Sequence, residues 1–262
     1  MPTPEPTLPL APLLRLTRAT GFVYVGSDPL AYRTFRAAFG PALPATIISA
    51  GEGTPAIADD TAQHLTGVLA ERCATHPFYI ASQAALSGLV APDALRAFWQ
   101  NLTATAQLEV ETTTLDALRQ DQSGAGPALT ETNWLVIDSL AAARVIAGAS
   151  DMLSQLDGII ARVLVDAPGD TSLADSTLER LDSVLTAAGF SHVDQYATRH
   201  PRFVHAVFLC DWKRAAKLAT ADASAIQDDL RAQLVTAQTA LEAAEAAARE
   251  AAERADAIEA DA

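Results

Sequence analysis

Short apolar runs bounded by Gly, Pro and Asp punctuate the chain: GFVYV at 21–25, ATIIS at 45–49, PFYIA at 77–81, LEVET at 108–112, WLVID at 134–138 and GIIARVLVD at 158–166. Such β-branched runs with helical stretches between them predict βαβ units and a largely parallel sheet. Helical spacing follows the first run, where Ser27 or Asp28 caps a helix with Pro29 in its first turn and Tyr32, Phe35, Arg36 and Phe39 share a face. Residues 92–103 repeat the design with Leu95, Phe98, Trp99 and Leu102. A further helix starts at Thr171 or Asp175, carries Leu178, Leu181, Val184 and Leu185, and ends at Gly189, the residue type that accepts a left-handed conformation. The last runs, HVDQY at 192–196 and FVHAVFLC at 203–210, are close enough to predict an antiparallel hairpin. The expected fold is α/β, a Rossmann-like and mostly parallel sheet closed by that hairpin. Its core is centred on Val23, Val25, Ile47, Ile48, Leu135, Ile137, Ile159, Val163, Val207 and Leu209.

Two segments depart from this pattern. Residues 1–20 are proline-rich and read as a leader, with Leu13 to Thr17 too short and too basic for a core element. The α/β domain is then expected over 21–220, and residues 221–262 turn abruptly to alanine and acid without Gly, Pro or aromatics. In that extension Leu230, Leu234, Ala237, Leu241, Ala244, Ala248, Ala251, Ala255 and Ile258 are spaced alternately four and three apart, a heptad seam. Two readings stay open there. One is a single solvated helix with Glu245 to Arg249 and Glu250 to Arg254 pairs; the other is a coil that pairs with itself or a partner protein through Leu230, Leu234, Leu241 and Ile258.

Charge narrows the partners. Acids outnumber bases 32 to 18, for a net charge of -14, and ten of the acids stand in the extension against three arginines. Such a surface repels phosphate backbones, so nucleic acid and anionic membrane are poor partners. No run reaches the length of a membrane span. Cys73 and Cys210 are lone thiols, and the first residues lack a basic n-region, so a cytoplasmic, reducing setting is expected.

Candidate chemistry is sparse. His64, His76, His192, His200 and His205 show no ligand spacing, and His205, alternating with Val204 and Ala206, reads as a surface or locally bonded side chain. No G-x-S-x-G elbow is present, and Asp59 with Asp60 reads as a helix-start pair. A nucleotide or S-adenosylmethionine site needs a Gly-rich turn after the first strand and an acid after the second. Gly21 and Gly26 only bracket one strand, and Gly51 with Gly53 is a lone G-x-G in a turn.

Three stretches nevertheless carry a resemblance: VYVGSDPLAYRTFRAAFG at 23–40, VETTTLDAL at 110–118, and NWLVIDSLAAARVIAGASDMLSQLDGII at 133–160. From about Gly21 to Asp211 the chain resembles an FkbM-type S-adenosylmethionine-dependent methyltransferase, with 23–40 similar to that family's second strand and helix. Its first strand and helix would then lie upstream of Val23, where a proline-rich stretch cannot hold them. The resemblance implies a cofactor site at Gly26, Asp28 and Asp138. Gly26 stands where the family's ribose-binding acid would be, Asp28 suits a helix cap, and Arg162 replaces a Glu. These departures imply a degenerate domain without a cofactor or catalytic residues, a scaffold or interaction module in glycan or secondary-metabolite assembly. The alternative is a working S-adenosylmethionine-dependent O-methyltransferase completed by a partner chain, with Asp138 or Asp116 as base.

Overall fold

The computed structural model describes residues 9–51, 54–121, 129, 131–166 and 171–212, with single positions at 227, 231, 233, 234, 236 and 238. The chain divides into two compact units, residues 1–211 and 212–262. In the first, α1 (Ala11–Leu16) leads into β1 (Phe22–Val25), α2 (Pro29–Phe39), β2 (Ala45–Ser49) and β3 (Gln63–Thr66). An insert follows, with β4 (Val68–Leu69), β5 (Ala74–Ala81) and β6 (Ala104–Thr113). The chain then continues through α3 (Leu115–Asp121), β7 (Trp134–Ile137), α4 (Ala142–Ala147), α5 (Ser150–Leu153) and β8 (Gly158–Leu164). It closes with α6 (Leu178–Ala187), β9 (Phe190–Ala197) and β10 (Phe203–Cys210).

Seven strands make one sheet in the order β3-β2-β1-β7-β8-β10-β9. Pairing is parallel from β3 through to β8, and β10 runs antiparallel to both β8 and β9, so β10 alone opposes the rest. This is the expected Rossmann-like, methyltransferase-type sheet with a C-terminal antiparallel hairpin. The chain order reverses beside β1, which is flanked by β2 and β7. β1 therefore holds the place of the first strand and α2 that of the helix after it. That corrects the comparison of residues 23–40 with a second strand and helix, and with it the expected loss of the first pair.

Both sheet faces are covered, which is why the strands read as continuous apolar runs. On one face Val23, Val25, Ile48, Leu135, Ile137, Ile159 and Val163 pack with Ala142 and Ile146 of α4 and Leu181 and Leu185 of α6. On the other, Phe22, Tyr24, Ile47, Trp134, Val136, Ile160 and Val207 pack under Tyr32, Phe35 and Phe39 of α2. The expected core residues are buried except Leu209, which is half-buried. Gly158 is required by the Trp134 indole, since a Cβ there would stand 2.5 Å from the ring.

Several expectations are corrected. Leu10 and Leu14 belong to the core, Trp134 Nε1 donates to Thr17 Oγ1, and Asn133 Nδ2 donates to the Thr17 carbonyl, so α1 is part of the domain and not of a leader. Residues 92–103 hold a short 3-10 turn (Pro92–Leu95) followed by further turns, with Leu95 and Leu102 buried all the same. Asp59 starts no helix; it accepts from Tyr32 and Thr61 and pairs with Arg36 at 3.2 Å. The runs at 77–81 and 108–112 lie outside the main sheet, forming with β4 a three-stranded sheet in the order β4-β6-β5. β3 escaped the reading because QHLT is polar and only half-covered.

β7 is central and Ile137 is fully buried. Ile137→Ala should cost about 2–5 kcal/mol in urea unfolding. A loss below about 1 kcal/mol would mean that the site collapses without a cavity, contrary to this packing.

Candidate functional site

Period-two alternation puts four polar side chains on the α2 face of the sheet, where their strands leave it. Asp138 directly follows β7, and its N–H still donates to the Val25 carbonyl at 2.8 Å, so the ladder carries it into position beside β1. Its carboxylate accepts from Tyr24 Oη of β1 at 2.9 Å and lies 3.2 Å from His205 Nε2 of β10. Arg162 of β8, register partner of His205, brings its Nε to 3.4 Å from the same carboxylate. Asp138 is 1% exposed at its side chain and Arg162 12%. Burial pushes the Asp138 carboxyl upward, but the Arg162 charge and the His205 and Tyr24 contacts outweigh it and hold the group below the usual carboxylate range. The same burial, with Asp138 beside it, raises the Tyr24 phenol well above its ordinary value. Arg162 Nη2 donates to the Ala85 carbonyl of the insert at 2.9 Å, while its buried Nε finds no hydrogen-bond partner.

This network stands where open α/β sheets bind ligands, at the carboxyl ends of strands beside the point of order reversal. Two cavities meet there. The first lies over the ends of β1, β2 and β7, lined by Gly26, Ser27, Ser49, Ala50, Ser139 and Ala141, and holds only about 60 Å³. Phe78, Leu86, Leu89 and Val90 of the insert line its outer side. The second holds about 610 Å³ on the α2 side. Leu86, Asp138, Leu140 and Arg162 line both and form the wall between them.

The resemblance implies S-adenosylmethionine at this first cavity, whose described lining offers it little room. Pockets for molecules of such size run to about 300–1,000 Å³. The turn after β1 is Gly26-Ser27-Asp28, and among the described residues the chain leaves β2 through Ser49, Ala50 and Gly51 without a carboxylate, while Glu52 lies outside the described residues. A Cβ on Gly26 would stand 3.1 Å from both the Asp138 Cβ and Tyr24 Oη, so that glycine makes room for the protein's own network. Asp28 accepts from the N–H groups of Leu30 and Ala31 as the cap of α2, a role worth about 1 kcal/mol. Asp116 accepts from the N–H groups of Asp151 and Met152 at the start of α5.

Of the residues implied by the resemblance, Gly26 and Asp138 come together and Asp28 stands one turn away, committed to its helix. Sequence reasoning missed Tyr24 and the assembly of Arg162 with His205. The signal was present, since each of those two charges or rings interrupts an apolar strand, in IIARVL and FVHAVF. Among the described residues no group of His, Cys, Asp and Glu could hold a metal ion, and no helix is long and apolar enough to cross a membrane.

No protein-family model and no curated protein matches the chain. Among solved structures it is similar to the mitomycin 7-O-methyltransferase MmcR, with a TM-score of 0.34 and 10% identity over 74% of this chain and 50% of that one. It is also similar to the pyocyanin biosynthetic protein PhzM, with a TM-score of 0.35 and 11% identity over 76% of this chain and 53% of that one. The chain thus spans about half the length of those proteins. The likeness is loose, and the fold assignment rests on the strand order.

Because its folded-state pKa is depressed, Asp138 stabilises the protein fully above the unfolded carboxyl value, and that contribution is lost as pH falls through the folded value. Asp138→Asn should cost about 3–5 kcal/mol at neutral pH, since it leaves Arg162 buried and uncompensated. Urea midpoints measured across the acid range should fall less steeply for the variant than for the parent chain. Parallel curves with equal midpoints would show that the carboxylate does not hold these strands.

Proposed function

We propose that the α/β unit is a non-catalytic methyltransferase-like module, a scaffold that serves binding and not methyl transfer. The observation that carries this reading is the small first cavity, about 60 Å³, bordered by Leu86, Leu89 and Val90 of the chain's own insert. Methyl transfer requires donor and acceptor in direct contact. Here Leu86, Leu140 and the Asp138–Arg162 pair stand between the two cavities. The only carboxylate of that wall is committed to Tyr24, His205 and Arg162, which leaves it poorly placed as a base. An FkbM-like ancestry and a setting in glycan or secondary-metabolite assembly belong to this proposal and rest on the sequence resemblance of residues 110–118 and 133–160. A cytoplasmic location is proposed on the same footing.

Calorimetric titration of the full chain with S-adenosylmethionine should show no binding tighter than about 1 mM, equivalent to about 4 kcal/mol. Micromolar binding would overturn the non-catalytic reading and favour the O-methyltransferase completed by a partner chain.

The second compact unit is proposed as the protein-binding element. Its described positions Gln227, Arg231, Gln233, Leu234, Thr236 and Gln238 are helical and exposed. Leu234, on the heptad seam, is 59% exposed, and a large apolar side chain in that position suits a helix that pairs with another. Leu230, Leu241 and Ile258 lie outside the described residues. Alanine-rich seams bury little area per position, so at about 25 cal/mol per Å² self-association should be weak. Salt should strengthen it by screening the acids. Light scattering should report a mass above the monomer that rises with salt and returns to monomer in Leu230→Asp/Leu234→Asp. A monomer under all conditions would exclude self-pairing.

A further inference from the structure

The larger cavity holds about 610 Å³. Leu30, Ala31, Thr34 and Phe35 of α2 form one wall; Thr198, Arg199 and His200 of the β9–β10 turn, with Phe203 and His205 of β10, form the other. Gln83 and Trp99 of the insert close it, and Asp138 and Arg162 make the floor. Its volume falls within the range of about 300–1,000 Å³ that accepts drug-sized molecules, and it has their usual make-up of apolar walls with a few convergent polar groups.

The polar groups are unequal in what they have left to offer. Both acids are consumed within the protein: Asp28 by the N–H groups of Leu30 and Ala31, and Asp138 by Tyr24, His205 and Arg162. The basic side are Arg162, Arg199, His200 and His205. Arg199 is exposed at the rim and takes part in no ion pair among the described residues. His200 Nδ1 accepts the Arg202 N–H at 3.2 Å, so a neutral ring carries its proton on Nε2 and presents a donor there. The formal charges of the lining balance, Arg162 and Arg199 against Asp28 and Asp138, but Asp28 caps α2 and Asp138 is held by Arg162, so Arg199 is the lining charge left to attract an anionic ligand.

Shape adds to charge. The Trp99 ring lies 4.8 Å from His200 and 4.9 Å from Phe203, centroid to centroid, making an aromatic panel along the cavity. Planar rings stack on such panels, while a flexible aliphatic chain would lose more rotational freedom for the same contact.

We propose that this cavity binds a small planar organic anion, an aromatic or conjugated carboxylate, with its ring system along Trp99 and its carboxylate directed to Arg199 and His200. The site goes beyond the non-catalytic reading and does not depend on it. A chain that bound such an anion and also bound S-adenosylmethionine would lose the former conclusion about catalysis and keep this one.

Three probes of one shape and different charge test it on the full chain by calorimetry: cinnamate, cinnamamide and cinnamylamine. Cinnamate should bind at least about tenfold more tightly than cinnamamide, a factor worth about 1.4 kcal/mol, and cinnamylamine should not bind measurably. Arg199→Gln, a change at an exposed position that leaves folding intact, should bring cinnamate down to the affinity of cinnamamide and leave cinnamamide unchanged. Ala31→Trp, which fills the cavity, should abolish binding of both while far-ultraviolet circular dichroism stays that of the parent. Equal affinity for the three probes, no cinnamate binding up to about 10 mM, or unchanged cinnamate affinity in Arg199→Gln would each overturn the assignment.

Discussion

The buried carboxylate of Asp138 ties together four strands that are distant in sequence. Tyr24 reaches it from β1, Arg162 from β8 and His205 from β10, while its own backbone continues the ladder of β7. Moving one carboxylate and one guanidinium out of water costs several kcal/mol per ion, and mutual attraction repays it only when the remaining donors and acceptors are satisfied. The hydroxyl, the imidazole and the Ala85 carbonyl supply that satisfaction, with only the Arg162 Nε left without a hydrogen bond. Strand register at the centre of the sheet is thereby fixed by polar geometry as well as by packing. A slip of one residue would send Arg162 or His205 into the opposite, apolar layer.

The insert depends on the same group. Arg162 is the side chain that joins the sheet to the insert by donating to Ala85, and Leu86 packs with Leu140 and Leu164 immediately beside it. Arginine at this position therefore does two things a carboxylate could not: it neutralises Asp138 and it draws a backbone carbonyl of the insert over the carboxyl edge. A glutamate there would face Asp138 as a second buried negative charge, and the two could not both ionise at that separation. With arginine at this position the carboxyl edge of the sheet satisfies its own buried charge.

Most of the scaffold was legible because its periodicities are local. β1, β2, β7, β8 and β10 are unbroken apolar runs, and Asp28-Pro29 announces α2 by cap chemistry alone. What escaped depends on contacts between distant residues. β3 is polar and held by pairing with β2, and α1 is short and earns its place only because Leu10 and Leu14 meet a core assembled from residues far along the chain. The turn-rich stretch after Pro92 keeps the burial of Leu95 and Leu102 that its helical spacing suggested, yet not the helix, because those two anchors are satisfied by 3-10 and turn geometry. The place of β1 and α2 in the sheet is likewise not local: a strand followed by Gly and then Asp-Pro is compatible with either place in a doubly wound sheet, and the pairing of β1 with both β2 and β7 distinguishes them.

The site was half legible for a related reason. Asp138 was visible as the acid that ends an apolar run, and Arg162 as a charge in the middle of another. That they meet was not visible, since it requires β7 and β8 to be neighbours in one register, with Val136 opposite Ile160. Once that register is known, both residues, two further along each strand, fall on the same face, and His205 follows from its own pairing with Arg162 across the antiparallel ladder. The make-up of the larger cavity is likewise a property of assembly: Arg162, His205, Arg199 and His200 come from β8, β10 and the hairpin turn, each surrounded in sequence by residues that say nothing of the others. Closure of the sheet by β10 brings them together around one cavity.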